Sequence, residues 1–206
     1  MIRLSVKIKI CGLVSTEDAV NVSESGADMA GMVLFFPKSK RNVSIAQAKK
    51  IMSALSDNVK KCAVTVSPDA EQVREISMAG FDILQVHGEL SDEAYEASAI
   101  PIVKAFNVTD IDRLEKYSML EKVCGYVFDA AEYGSGKCFD WKLLDNIPRD
   151  GKMFILAGGL HPENVFDAVK RVKPDCVDVS SGVEKDEGIG KDRNKIFAFV
   201  NNARMA

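Results

Sequence analysis

Cys11 closes the run VKIKIC and Asp129 closes the run GYVFD, so a thiol and a carboxyl group each stand at the end of an apolar stretch. A thiolate removes protons and a carboxylic acid donates them, so such a pair suits general acid–base chemistry. Side chains alternate along VKIKIC, with Val6, Ile8 and Ile10 on one side and Lys7, Lys9 and Cys11 on the other. A Lys9 ammonium one layer below the thiol is expected to lower its pKa and raise its thiolate fraction. The commoner fate of such a cysteine is a buried apolar filler, and position alone leaves both readings open. Asp129 is in phase with Val127 and precedes the glycine-rich EYGSGK, a segment able to fold over a ligand. Partial desolvation there would raise the carboxyl pKa toward that of a general acid. The plainer reading, a helix-capping Asp, is weakened because the next helical start lies near Asp140.

Anion-binding residues accompany this pair. LAGGLHPENV carries Gly158 and Gly159, and VDVSSGVE carries Ser180, Ser181 and Gly182, each group directly after a strand-like run. Glycines let backbone N–H groups approach a phosphate and hydroxyls add donors. FFPKSKR supplies Lys38, Lys40 and Arg41, of which Arg41 can grip a carboxylate with two parallel hydrogen bonds. Gln85 and His87 are in phase in LQVHGE; a lone histidine of this kind is a ligand contact at most. Asp178, in phase with Ser180, is suited either to sugar hydroxyls or to pairing with an interior lysine.

Positioning these residues requires strands that end at one common mouth. Apolar, β-branched runs occur near 6–11, 29–35, 61–66, 83–87, 102–106, 125–129, 153–157 and 176–180. Helical segments alternate with them. STEDAVNVSES is capped and stopped by Gly26; SPDAEQVREISM is stopped by Gly80; HPENVFDAVKRV places Pro162 at the favoured first position; KDRNKIFAFVNNAR closes the chain. Eight such repeats predict a closed (β/α)8 barrel, with an open doubly wound sheet as the competitor. In a barrel, active sites sit at the C-terminal strand ends, which sorts the five cysteines. Cys62 and Cys176 open their runs and Cys124 precedes one, which assigns all three to the stability face. Cys138 follows strand six in a loop, and only Cys11 ends a strand.

Composition narrows the function further. The chain has 206 residues, 47% hydrophobic and 28% charged, with a formal net charge of −3, which disfavours a nucleic-acid surface. No apolar run approaches a membrane span and no signal-peptide pattern opens the sequence, so a cytoplasmic location is expected. Two histidines and five scattered cysteines offer little to a metal, and neither metal nor cofactor is expected. The residues together fit acid–base rearrangement of a phosphorylated sugar bearing an acidic group.

At KICGL, FFPKSKR, QVHGE, IVKAF, FDW, ILAGGLHPENV, VDVSSGVE and KDRNKI the sequence resembles the phosphoribosylanthranilate isomerases, over nearly its whole length. The resemblance implies one (β/α)8 barrel over residues 1–206. It also implies a cofactor-free Amadori rearrangement of N-(5-phosphoribosyl)anthranilate to 1-(2-carboxyphenylamino)-1-deoxyribulose 5-phosphate. It places the general base on Cys11, the general acid on Asp129 and the anthranilate contact on Arg41; strand phase adds Lys9, Gln85, His87 and Asp178 as candidate substrate contacts. Phosphate falls to Gly158, Gly159, Ser180, Ser181 and Gly182. The sequence departs from the family pattern at Tyr133, Cys138, Lys40 and Asn42, and by one extra residue before Lys191. The expected partner is a small molecule, for a monomer or homodimer. The nearest rival is the histidine-pathway isomerase, which is longer and uses two aspartates. The non-enzyme rival is a catalytically silent phosphosugar-binding barrel that supports a partner.

Overall fold

A computed structural model describes residues 5–107, 113–129 and 140–206. Eight parallel strands close into a barrel in sequence order: β1 (Lys7–Cys11), β2 (Met29–Val33), β3 (Lys60–Val66), β4 (Ile83–His87), β5 (Ile102–Asn107), β6 (Val123–Asp129), β7 (Met153–Leu156) and β8 (Cys176–Val179). The seam is sealed where β1 pairs with β8, with Lys7 opposite Cys176 and Lys9 opposite Asp178. Closure leaves no sheet edge, which decides between the barrel and the open sheet.

Outside the barrel lie α1 (Thr16–Ser25), α2 (Ile45–Ser53), α3 (Ala70–Met78), α4 (Asp92–Ala97), α5 (Leu114–Ser118), α6 (Val165–Val172) and α7 (Arg193–Arg204). A 3₁₀ turn, Trp141–Leu144, fills the sixth position with Asp140 as its cap. The strand alternation then makes two cores. Ile8, Ile10, Met32, Leu84, Phe128 and Val177 face outward against the helices. Met29, Val103, Ala105, Val127, Ile155 and Cys176 fill the barrel interior below the mouth. Fully burying each large apolar side chain contributes roughly 1.5–3 kcal/mol, and both faces of the sheet collect that gain. Among the described residues no helix is long and apolar enough to cross a membrane.

Helix signals hold where a side chain closes a local ring. Ser15 and Asp18 form a capping box at α1, and Gly26 ends that helix with φ of 77°. Asp69 and Gln72 do the same for α3. Pro162 does not open α6: the Asn164 carboxamide turns back to accept from the His161 N–H and donate to the Gly159 carbonyl, so the helix starts at Val165. Most strand bounds fall within one residue of expectation, and two differ by two residues. β2 stops at Val33, and Phe35 then adopts φ of 56°, outside the strand region. β6 starts at Val123, which puts Cys124 inside the strand.

Candidate active site

The C-terminal strand ends surround one cavity of about 540 Å³, a volume suited to a small ligand. Cys11, Arg41, Gln85, His87, Asp129, Gly158, Gly159, Asp178, Ser180 and Ser181 all line it. Lys9 lies one layer below, and Gly182, in the turn after β8, packs against the loop after β7. The sequence-derived site therefore converges on one mouth. Of the remaining expectations, the glycine-rich loop 132–137 and Cys138 lie outside the described residues.

Cys11 is 8% exposed, at the end of β1. Its neighbour across the ladder is Gly31, and a Cβ at that position would stand 2.8 Å from the Cys11 Sγ and 3.2 Å from the Lys9 Nζ. The missing side chain thus makes the space that the thiol and the ammonium occupy. Gly31 is also in register with Cys62 on β3. Cys62 therefore sits at the level of Cys11 and packs with it, not on the stability face. The stagger of tilted strands causes this correction: the start of one strand lies level with the end of another.

Lys9 is 1% exposed and its Nζ lies 2.7 Å from the Asp178 Oδ2. Burial alone would push this ammonium down, but attraction from Asp178, then Cys11 and Cys62, carries its pKa well above the ordinary value. At Cys11 the balance is reversed. Burial raises the thiol above its ordinary 9.0, and the attraction and hydrogen bond from Lys9 only partly offset it. The expected net lowering by Lys9 does not occur, because desolvating a thiolate outweighs one ammonium already shared with Asp178. Cys62, buried beside them, is pushed up to about 12.

At β4, the Gln85 Nε2 lies 3.0 Å from the His87 Nε2. Burial, with repulsion from Lys9 and Lys104, pushes His87 down to about 3, so its ring is neutral at working pH. The Gln85 amide must then donate to Nε2, leaving the His87 proton on Nδ1. The Gln85 Oε1 and the Asp178 Oδ1 are buried acceptors with no partner among the described residues. Each would cost about 1–3 kcal/mol if left unmatched, so both call for donors from a ligand.

The basic arm after β2 crosses the mouth to β8. Gly12, with φ of 78°, lies under Arg41: a Cβ there would stand 2.5 Å from the Arg41 Cδ. The Arg41 Nε donates to the Glu184 Oε1 at 2.5 Å, and the Lys40 Nζ to the Glu184 Oε2 at 2.7 Å. Opposite, the loops after β7 and β8 touch through backbone. A Cβ on Gly182 would stand 2.1 Å from the Leu160 carbonyl oxygen, so only glycine permits this approach. The Lys191 Nζ, 1% exposed, donates to the Ser180 carbonyl at 2.9 Å and to its Oγ at 3.3 Å. Glu184, Lys191 and Gly31 escaped the sequence reading. Glu184 ends the VDVSSGVE motif, but nothing local says which cation it meets.

This arrangement offers a thiol and a carboxyl group from strands far apart in the chain, a guanidinium, and a tight glycine–serine cradle for an anion. Among the described residues no group of three or more His, Cys, Asp or Glu side chains is gathered for a metal ion. A family model described as N-(5'-phosphoribosyl)anthranilate (PRA) isomerase matches residues 8–202. The N-(5'-phosphoribosyl)anthranilate isomerase of Aquifex aeolicus is 38% identical over 205 residues, covering 97% of this chain and 98% of that protein. A solved structure of monomers generated from the dimeric phosphoribosylanthranilate isomerase of Thermotoga maritima superposes with a TM-score of 0.83 at 35% identity, covering 98% of this chain and 100% of that one. A phosphoribosylanthranilate isomerase bound to reduced 1-(o-carboxyphenylamino)-1-deoxyribulose 5-phosphate matches with the same TM-score, identity and coverage.

Proposed function

This chain belongs to the N-(5'-phosphoribosyl)anthranilate isomerase family of tryptophan biosynthesis, and we propose that it carries out the isomerisation with Cys11 as general base and Asp129 as general acid. The observation that carries this reading is the shared cavity. Cys11 from β1 and Asp129 from β6 line the same space, between the Arg41 arm and the Gly158–Ser180 cradle.

The substrate's phosphate sits in the cradle made by Gly158, Gly159, Ser180, Ser181 and Gly182, and its carboxylate meets Arg41. The ribose hydroxyls lie over Asp178, Gln85 and His87, where the Asp178 Oδ1 and Gln85 Oε1 have no donor among the described residues. Asp129 gives a proton to the ring oxygen as the bond from that oxygen to C1′ breaks, and the anthranilate nitrogen lone pair completes a Schiff base. The Cys11 thiolate then takes the C2′ proton, and the C–H electron pair flows toward the nitrogen to give an enolamine. Proton return at C1′ and loss of the hydroxyl proton yield the ketone. Lys9 stabilises the thiolate from below, since Asp178 keeps its ammonium charged.

The same reading makes residues 1–206 one barrel domain acting on a small molecule in the cytoplasm. It works without a nucleic-acid partner or cofactor, as a monomer or homodimer. Phosphoribosylanthranilate made in situ and followed by loss of its fluorescence tests the chemistry. Wild type should give rapid decay, and Cys11→Ser and Asp129→Asn should each lower kcat by ~10²–10⁴-fold. Undiminished turnover in either variant would remove that residue from its role. No decay above background with folded wild type would favour a silent phosphosugar-binding barrel.

A further inference from the structure

Glu184 follows the short 3₁₀ turn Ser181–Val183 after β8, and it stands behind the cavity wall instead of on it. Its side chain is 16% exposed, yet three cations converge on its carboxylate. The Arg41 Nε lies at 2.5 Å, the Lys40 Nζ at 2.7 Å and the Lys191 Nζ at 3.6 Å. Arg41 makes no other side-chain hydrogen bond to a described residue. Its aliphatic stem is seated over Gly12, directly after Cys11.

We propose that Glu184 is a positioning residue for the substrate's carboxylate: by taking the Arg41 Nε, it leaves the two terminal amino groups of the guanidinium as the fork that receives the ligand. This deepens, and rests on, the reading of Arg41 as the carboxylate contact. A guanidinium can meet a carboxylate through Nε and one terminal nitrogen or through both terminal nitrogens. With Nε engaged, only the second mode remains. A flexible arginine would otherwise sample both modes and spend binding energy on ordering.

Lys191 supplies the anchor. Glu184 and Lys191 face each other across a two-residue antiparallel bridge, and the Lys191 backbone N–H donates to the buried Asp18 carboxylate at 2.9 Å. Its ammonium reaches both the Glu184 carboxylate and the Ser180 carbonyl and hydroxyl. One buried cation thereby fixes the arm for the carboxylate relative to the cradle for the phosphate. Three positive groups against one acid also leave a surplus of positive charge for an anionic ligand.

The test is a double-mutant cycle on Glu184→Gln and Arg41→Ala, with KM and kcat for phosphoribosylanthranilate measured separately. Glu184→Gln keeps the side chain's size, so its fold should survive. Loss of the charged hydrogen bond is expected to raise KM by about 10-fold or more while kcat stays within about 3-fold. In the Arg41→Ala background the same change should move KM by less than about 2-fold, because Glu184 then has nothing to orient. A raised KM in Arg41→Ala alongside an unchanged KM in Glu184→Gln would overturn the inference and spare the role of Arg41. Multiplying losses would overturn it as well, marking Glu184 as structural. An unchanged KM in Arg41→Ala would remove the carboxylate reading of Arg41 and the inference with it.

Discussion

At Cys11 two electrostatic effects oppose each other. Burial holds the thiol above 9.0, while Lys9 pulls it back. A base of this kind is seldom ionised at neutral pH, but each thiolate formed abstracts a proton with a larger driving force than a strongly acidified thiol would. The sign gives a direct prediction. In the difference between wild-type and Cys11→Ser ultraviolet spectra, thiolate absorbance should rise with a midpoint above pH 9, since the protonated form is favoured below the raised pKa. A midpoint below 9 would mean that Lys9 dominates after all. His87 shifts the other way: its neutral ring can exchange hydrogen bonds with Gln85 and a sugar hydroxyl without adding charge beside Lys9.

The strands carry constraints that no side chain reports. β2 places Gly31 between Cys11 and Cys62, and the space left by its absent Cβ holds the Cys11 thiol. In Gly31→Ala the new methyl should rotate the thiol away while the strand persists. The expected result is a kcat reduced by roughly 10²-fold with KM little changed. Gly182→Ala should act on the other parameter. Its methyl would meet the Leu160 carbonyl, part the loops after β7 and β8 and raise KM through the proposed phosphate cradle. Steady-state kinetics on both variants checks the contrast, and loss of kcat alone in Gly182→Ala would contradict the assignment of that cradle.

Across the whole molecule, the Lys9–Asp178 pair bridges the barrel seam and also equips the site. Asp178→Ala strands a buried ammonium, a change that costs about 3–5 kcal/mol when a buried pair loses one partner. The double variant Lys9→Met/Asp178→Leu should recover most of that stability, since apolar replacement of both partners is often neutral. It should not recover turnover, because the thiolate loses its stabilising cation. Urea unfolding and the fluorescence assay, run side by side, read the two outcomes. Recovered turnover in the apolar pair would show that Lys9 and Asp178 serve only the fold.

The sequence alone determined the alternation of strands and helices, the end positions of Cys11 and Asp129, and the two glycine-rich tracts after β7 and β8. Those are local matters: side-chain period, helix caps and turn chemistry are written in neighbouring residues. Tertiary structure decided what depends on pairing across the chain. Strand stagger lifted Cys62 to the level of Cys11, against its reading from strand position. The Asn164 carboxamide delayed α6 beyond Pro162. Glu184 met Arg41 from the loop after β2, and Lys191 met Asp18 from α1, only when the barrel closed. The net pKa of Cys11 was likewise beyond the sequence, because desolvation is a property of the packed interior and outweighs the charge two residues away.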